Sequence, residues 1–180
     1  RIAMAAIVGG LLAAAGALMQ GLFRNPLADP ALVGVSPGAA LAAAATIVLT
    51  DRFLADGNVG LAFEILPIAA FAGAIAITLL LYRIATRDGR TLVATLLLAG
   101  LALGAIANAG IGLLVFMSDD RQLRDITFWM LGALGGATWG KVATIAPVLA
   151  VLIVASPVIA RGLDALVLGE AEAFHMGVSV

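Results

Sequence analysis

Few side chains in this 180-residue sequence could do chemistry. His175 is the single histidine, and there is no cysteine. The missing thiols rule out disulfides, thiolate metal sites and cysteine nucleophiles, and say nothing about compartment. A lone histidine argues against a histidine-ligated metal, and no cofactor is called for. No GxxxxGK[ST] loop occurs, so any ATP used must be hydrolysed by another chain. Lys and Arg total 10 against 11 Asp and Glu, a net charge of −1 that offers no basic face to nucleic acid. What remains is a short set of polar groups among apolar residues. They are Arg1, Arg24-Asn25-Pro26, Asn108, the charged run at 119–125, and Asp164, Glu170, Glu172 and His175 near the end.

The elements that must position these groups have a lopsided composition. Hydrophobic residues make up 63% and charged residues 12%, against about 45–50% and about 25% in soluble domains. Mean hydropathy is +1.14. The 21 glycines and many alanines suit close helix–helix contact in lipid. Uncharged stretches at 2–23, 31–50, 65–82 (within a span near 62–82), 91–118 and 142–160 are each long enough to matter. At about 1.5 Å of rise per residue, ~20 residues cross a hydrocarbon core of ~30 Å. The reading is an all-α, polytopic helical membrane protein with about five transmembrane helices. The first stretch lacks the positive n-region and cleavage site of a signal peptide. The sequence opens at Arg1 on a segment already apolar, and is read as a fragment of a longer membrane protein.

Charge does not fix orientation. Alternating segments put Arg1, Arg52, Arg121, Arg124 and Lys141 on one side, and Arg24, Arg83, Arg87, Arg90 and Arg161 on the other. The positive-inside rule leaves this a tie, although the compact arginine loop at 83–90 leans towards the cytoplasm. Between 119 and 141 the apolar run 126–140 is too short to span. Leu123, Ile126, Thr127, Met130, Leu131 and Leu134 share one helical face there. Asp119 or Asp120 can cap this helix, and Asp120–Arg124 and Arg121–Asp125 are i,i+4 pairs. The spacing predicts a short helix over 120–134, dipping into one face of the membrane and giving way at Gly135-Gly136. Residues 161–180 read as two short helices around Gly169. Glu170 and Glu172 fall in the first turn of the second, His175 in its last, and Gly177 just past its end, as the helix dipole and a glycine C-cap favour. Such a module lies on a membrane surface or docks on a soluble partner.

Four groups of residues carry a resemblance beyond hydropathy. The first is Met19-Gln-Gly-Leu-Phe-Arg-Asn-Pro-Leu-Ala-Asp-Pro30 with Leu32-Val-Gly-Val-Ser36 and Gly38-Ala-Ala40. The others are Leu96-Leu-Leu-Ala-Gly100; Gln122-Leu-Arg with Phe128-Trp-Met-Leu-Gly132 and Trp139; and Leu168-Gly-Glu170 with Ala173 and Met176-Gly-Val178. Together they resemble the FecCD-type permease subunits of bacterial ABC importers for iron chelates, haem and cobalamin, over essentially all 180 residues. Gly21-Leu-Phe-Arg-Asn25 and Glu170-Ala-Glu-Ala-Phe-His-Met-Gly177 are most similar to the haem-uptake branch.

The resemblance implies a multi-pass permease of the inner membrane. It implies a homodimer that meets two cytoplasmic ATPase subunits and a periplasmic substrate-binding protein. Residues 1–180 would be part of the transmembrane domain, family helices two to six, with 161–180 as the coupling segment. Arg24, 83–90 and 161–180 would then be cytoplasmic, and the 51–64 loop extracytoplasmic. Asp164, Leu168, Gly169, Glu170, Ala173, His175 and Gly177 would couple to the ATPase. Asn25 and Leu27 match positions that narrow the pathway on the cytoplasmic side, and Leu92, Val93, Ala94 and Thr95 match the other part of that gate. Arg1 aligns with an arginine that receives acidic residues of the binding protein.

Plainer structural readings stand beside these. Arg24-Asn25-Pro26 can simply end a helix, with Arg24 at the interface, and Arg1 can be an interfacial anchor. Gly100 and Gly104, and the ladder Gly132, Gly136 and Gly140, read as packing surfaces. Asn108 reads as an interhelical hydrogen-bonding group, or else as a pathway lining. Of the competing classes, an ion-coupled secondary transporter normally keeps ionisable residues at mid-membrane, and none falls mid-span here. An intramembrane enzyme would need a nucleophile and base or a metal cluster. The importer reading takes haem as first cargo, with a ferric siderophore or cobalamin behind it.

Overall fold

The computed structural model describes residues 1–53, 59–87 and 90–177. Its helices are α1 (Ile2–Phe23), α2 (Val35–Phe53), α3 (Val59–Ala85), α4 (Val93–Phe116), α5 (Asp120–Leu131), α6 (Trp139–Leu168) and α7 (Glu170–His175). A 3-10 turn at Pro30–Val33 precedes α2, and a two-residue antiparallel ladder, β1 (Thr86–Arg87) with β2 (Arg90–Thr91), joins α3 to α4. The centres of the predicted 51–64 and 83–90 loops lie outside the described residues. Among the described residues α1, α4, α6 and the Ile65–Ala85 part of α3 are long and apolar enough to cross a membrane. The apolar part of α2, Val35–Thr50, is shorter. Its predicted first turn is taken by the 3-10 segment, which Gly34 closes at φ +75.

Two helix ends differ from expectation for one reason: a charged residue marks the edge of the bilayer, not the end of a helix. α3 continues back through Glu64 to Val59, beyond the 62–82 boundary. α6 runs unbroken through Arg161 and Asp164 to Leu168, so the first of the two short helices expected after 161 is the end of α6 itself. Gly169, at φ 124 and ψ 154, separates it from α7. Inside α6, Pro157 has no N–H for the Ile153 carbonyl four residues back. The Ser156 hydroxyl donates to that carbonyl at 2.8 Å, so the orphaned acceptor is satisfied.

The fold divides into two compact units. One is Arg1–Pro30 with the chain from Ala133 onward, and the other is Ala31–Gly132. In the second unit α2 is surrounded by α3, α4 and α5. The core is Ala43, Ala44, Ile47 and Val48 from α2, Leu66 and Ala70 from α3, and Ile126 from α5. Small residues set these distances. A Cβ at Gly73 would lie 2.6 Å from the Gly38 carbonyl oxygen and 2.5 Å from Ala42 Cβ, so α2 and α3 touch backbone to backbone. A Cβ at Gly34 would lie 2.9 Å from the Gly100 carbonyl oxygen. Gly100 and Gly104 are buried on α4, so this pair is a packing surface as read. Gly132, Gly136 and Gly140 are exposed among the described residues, and a Cβ at Gly132 would meet nothing within 4 Å.

α5 starts with a full capping box. Asp119 accepts from the Gln122 and Arg121 amides at 2.8 and 2.9 Å, and Gln122 Oε1 accepts from the Asp119 amide at 3.2 Å. Arg121 pairs with Asp125 at 3.9 Å. The helix stops at Leu131, ahead of the predicted Gly135, because Gly132 takes φ 72. The face it buries is also different. Gln122 and Ile126 are buried and Trp129 packs on the core, whereas Leu123, Met130 and Leu131 are exposed. Hydrophobicity alone does not select a face where the outer surface is apolar too.

In the first unit α1 packs on α6. Two glycines of α1 each receive a leucine of α6. A Cβ at Gly10 would lie 3.4 Å from Leu149 Cδ1, and one at Gly21 would lie 3.2 Å from Leu163 Cδ1.

Candidate functional site

The Arg24-Asn25-Pro26 sequence does more than stop a helix. Arg24 takes a left-handed conformation, φ 49 and ψ 36, and is the one non-glycine residue with positive φ among those described. Its amide donates to the Gly21 carbonyl at 3.3 Å, and the Asn25 amide donates to Gln20 at 3.1 Å. This is the paired hydrogen-bond pattern that satisfies the last carbonyls of a helix, and it usually carries glycine where Arg24 stands. Asn25 then folds the next turn itself, its Oδ1 accepting the Leu27 amide at 2.9 Å and its carbonyl accepting the Ala28 amide at 3.0 Å. Leu27 is 84% exposed, while Ala28 beside it is buried. The turn thus holds an apolar side chain outward on a fixed backbone.

The predicted partner stretch belongs to the other unit. Leu92 is the extended N-cap of α4, with no side-chain cap, and its amide donates to Ala85 at 3.1 Å across the β1–β2 ladder. Val93, Ala94 and Thr95 form the first turn. Leu92, Val93 and Ala94 are exposed and Thr95 is half-buried. Asn108, in the middle of α4, is exposed, at the edge of the face that buries Gly104, Ala107 and Ile111.

At the far end of the first unit, Asp164, Glu172, Phe174, His175, Met176 and Gly177 are exposed. Ala165 and Ala173 are buried where α7 packs on α6, so Ala173 holds the short helix in place rather than facing outward. Gly169 separates the helices, and Gly177 follows α7 at φ 82. The side chains of Leu168 and Glu170 lie outside the described residues. Among the described residues no group of three or more His, Asp or Glu could hold a metal.

Arg1 lies at the opposite end of this unit, beside a cavity of about 430 Å³ lined by Ile2, Ala3, Ala137, Thr138, Trp139 and Val142. Its guanidinium donates to the Gly135 carbonyl at 3.4 Å, and Lys141 Nζ donates to the adjacent Gly136 carbonyl at 3.0 Å. Sequence reasoning did not single out Leu163 or Ser156, and named Lys141 only as a charge on one side of the membrane. Only Ser156-Pro157 left a readable local signal.

Helices of bilayer length, tied by glycine contacts, define a polytopic membrane protein. The family model described as the FecCD transport family matches residues 1–180. The chain belongs to the FecCD transport family. It is 39% identical over 180 residues to the hemin transport system permease protein HmuU of Yersinia pestis, covering 100% of this chain and 52% of that protein. It is 40% identical to the cobalamin import system permease protein BtuC of Halobacterium salinarum, covering 100% of this chain and 46% of that one. A solved structure of a metal-chelate type ABC transporter in an inward-facing conformation matches with a TM-score of 0.80 and 27% identity, covering 99% of this chain and 54% of that chain. The chain spans about half the length of the curated relatives it matches. It is a multi-pass protein of the inner membrane.

Proposed function

We propose that the full protein is the permease subunit of an ATP-driven importer of iron chelates, haem or cobalamin, and that ATP is hydrolysed by separate subunits. The match of the family model to the whole of residues 1–180 carries this reading. Haem is the first choice of cargo, supported by the HmuU similarity and by the Gly21–Asn25 and Glu170–Gly177 stretches. BtuC similarity of equal strength keeps cobalamin close behind, and a ferric siderophore is third. The proposed partners are a second copy of the permease, two cytoplasmic ATPase subunits and a periplasmic binding protein.

In this reading the exposed end of α6 and α7 meets the ATPase. Asp164, Leu168, Gly169, Glu170, His175 and Gly177 shape the contact, and Ala173 holds α7 against α6. ATP binding displaces this end, and the permease helices rock. Asn25 and Leu27 act as one gate element and Leu92, Val93, Ala94 and Thr95 as another, and the exposed apolar side chains of Leu27, Leu92, Val93 and Ala94 do not grip a bulky chelate. Arg1 receives an acidic group of the binding protein.

The test is reconstitution of the full-length permease with its ATPase and binding protein. Cargo-loaded binding protein should stimulate ATP hydrolysis and drive uptake of haem more strongly than of cobalamin or a ferric siderophore. Uptake driven by an ion gradient with no ATP would replace the importer with a secondary transporter. The Asn25 turn supplies a finer expectation. Asn25→Ala removes the acceptor for the Leu27 amide, worth about 1 kcal/mol, and should lower uptake. Asn25→Asp keeps an oxygen there and should retain most of it. Equal loss in both would assign the role to the amide NH₂ instead.

A further inference from the structure

We propose that Leu163 is the positioning residue through which displacement of the cytoplasmic end of α6 reaches the Asn25–Leu27 turn. The proposal rests on the importer reading above. Leu163 is one residue from Asp164, at the end of α6 assigned to the ATPase. Its side chain lies directly against the backbone of α1, because Gly21 puts no side chain between them. A Cβ there would lie 3.2, 3.3 and 3.4 Å from Leu163 Cδ1, Cδ2 and Cβ. From Gly21 the connection is by hydrogen bonds. The Gly21 carbonyl holds Arg24, the preceding Gln20 carbonyl holds Asn25, and Asn25 Oδ1 holds Leu27. All of these groups belong to one compact unit.

Pro157 makes this short route the effective one. It removes a helix hydrogen bond between Leu163 and the rest of α6, and proline sites are where helices bend. The Ser156 hydroxyl fills the vacant acceptor without restoring the ladder. A push on the end of α6 therefore bends the helix at Pro157 and moves α1 through Leu163. The other glycine–leucine contact, Gly10 with Leu149, lies on the far side of Pro157 and stays still.

The test uses the full-length permease with its ATPase subunits in proteoliposomes, with Leu27→Cys as the thiol reporter; residues 1–180 contain no other cysteine. Trapping the ATP-bound state should change the thiol labelling rate at least about fivefold, the low end of ordinary coupling. Adding Leu163→Ala should abolish most of that change while ATP is still hydrolysed, Leu163→Met should restore it, and Leu149→Ala should leave it intact. A full response in the Leu163→Ala protein overturns the link alone. Equal loss in Leu163→Ala and Leu149→Ala overturns it in favour of a general loosening of α1 on α6. No response to ATP in the Leu27→Cys parent overturns the importer reading itself.

Discussion

Gly73→Val will destabilise the protein more than any other single substitution considered for the Ala31–Gly132 unit. The new Cβ falls 2.6 Å from a backbone oxygen of α2 and 2.5 Å from Ala42 Cβ, and neither can swing aside. Overpacking usually costs ~1–3 kcal/mol, and contact against backbone belongs at the top of that range or above it. The comparison is Gly110→Ala, whose methyl would meet Leu41 Cδ1 at 2.9 Å. That is the free end of a flexible side chain, so a rotamer change relieves it. In detergent, the thermal midpoint of the full-length protein should fall sharply for Gly73→Val and little for Gly110→Ala. Equal midpoints for Gly73→Val and the parent would show that α2 and α3 do not meet at Gly38 and Gly73.

Gly177→Val should have the largest effect on transport with the least effect on folding. Gly177 sits at φ 82 with nothing within 4 Å of a Cβ, so the penalty is backbone strain and not a clash. A left-handed conformation costs an L-residue ~1–2 kcal/mol. α7 has only 6 residues, and helices that short are marginal without tertiary support. Since ~1.4 kcal/mol is a factor of ten, the substitution is enough to unseat α7. Uptake and cargo-stimulated ATP hydrolysis should fall about tenfold, with normal amounts in the membrane. Gly177→Asn, which tolerates the left-handed region, should stay near the parent. Unchanged uptake in the valine variant would remove α7 from the coupling mechanism.

The parts of this fold that were legible in the sequence are those written in local chemistry. α1 ends at Phe23 because Arg24-Asn25-Pro26 follows. α5 begins at Asp120 because Asp119 and Gln122 cap it, and α7 lies between Gly169 and Gly177. What could not be read depends on contrast that an apolar chain lacks. Leu123 and Met130 look as suited to a core as Ile126, yet Gln122 is the α5 residue buried beside Ile126. Gly100 and Gly132 are the same residue, and only the approach of Gly34 makes one of them a packing site. The candidate site divides the same way. The turn at Asn25 follows from its own residues, but the contact of Leu163 on Gly21 joins positions far apart in sequence with no shared local signal.

The shortness of α2 bears on how this unit responds to the bilayer around it. At about 1.5 Å per residue, Val35–Thr50 covers about 24 Å of a ~30 Å hydrocarbon core. A lipid-facing helix of that length would thin the membrane locally or drag its ends inward, at a fraction of a kcal/mol per Å of mismatch. Between Val35 and Thr50, however, only Ser36 and Leu49 are exposed. The shortfall is met by neighbouring protein, so acyl chains do not register it.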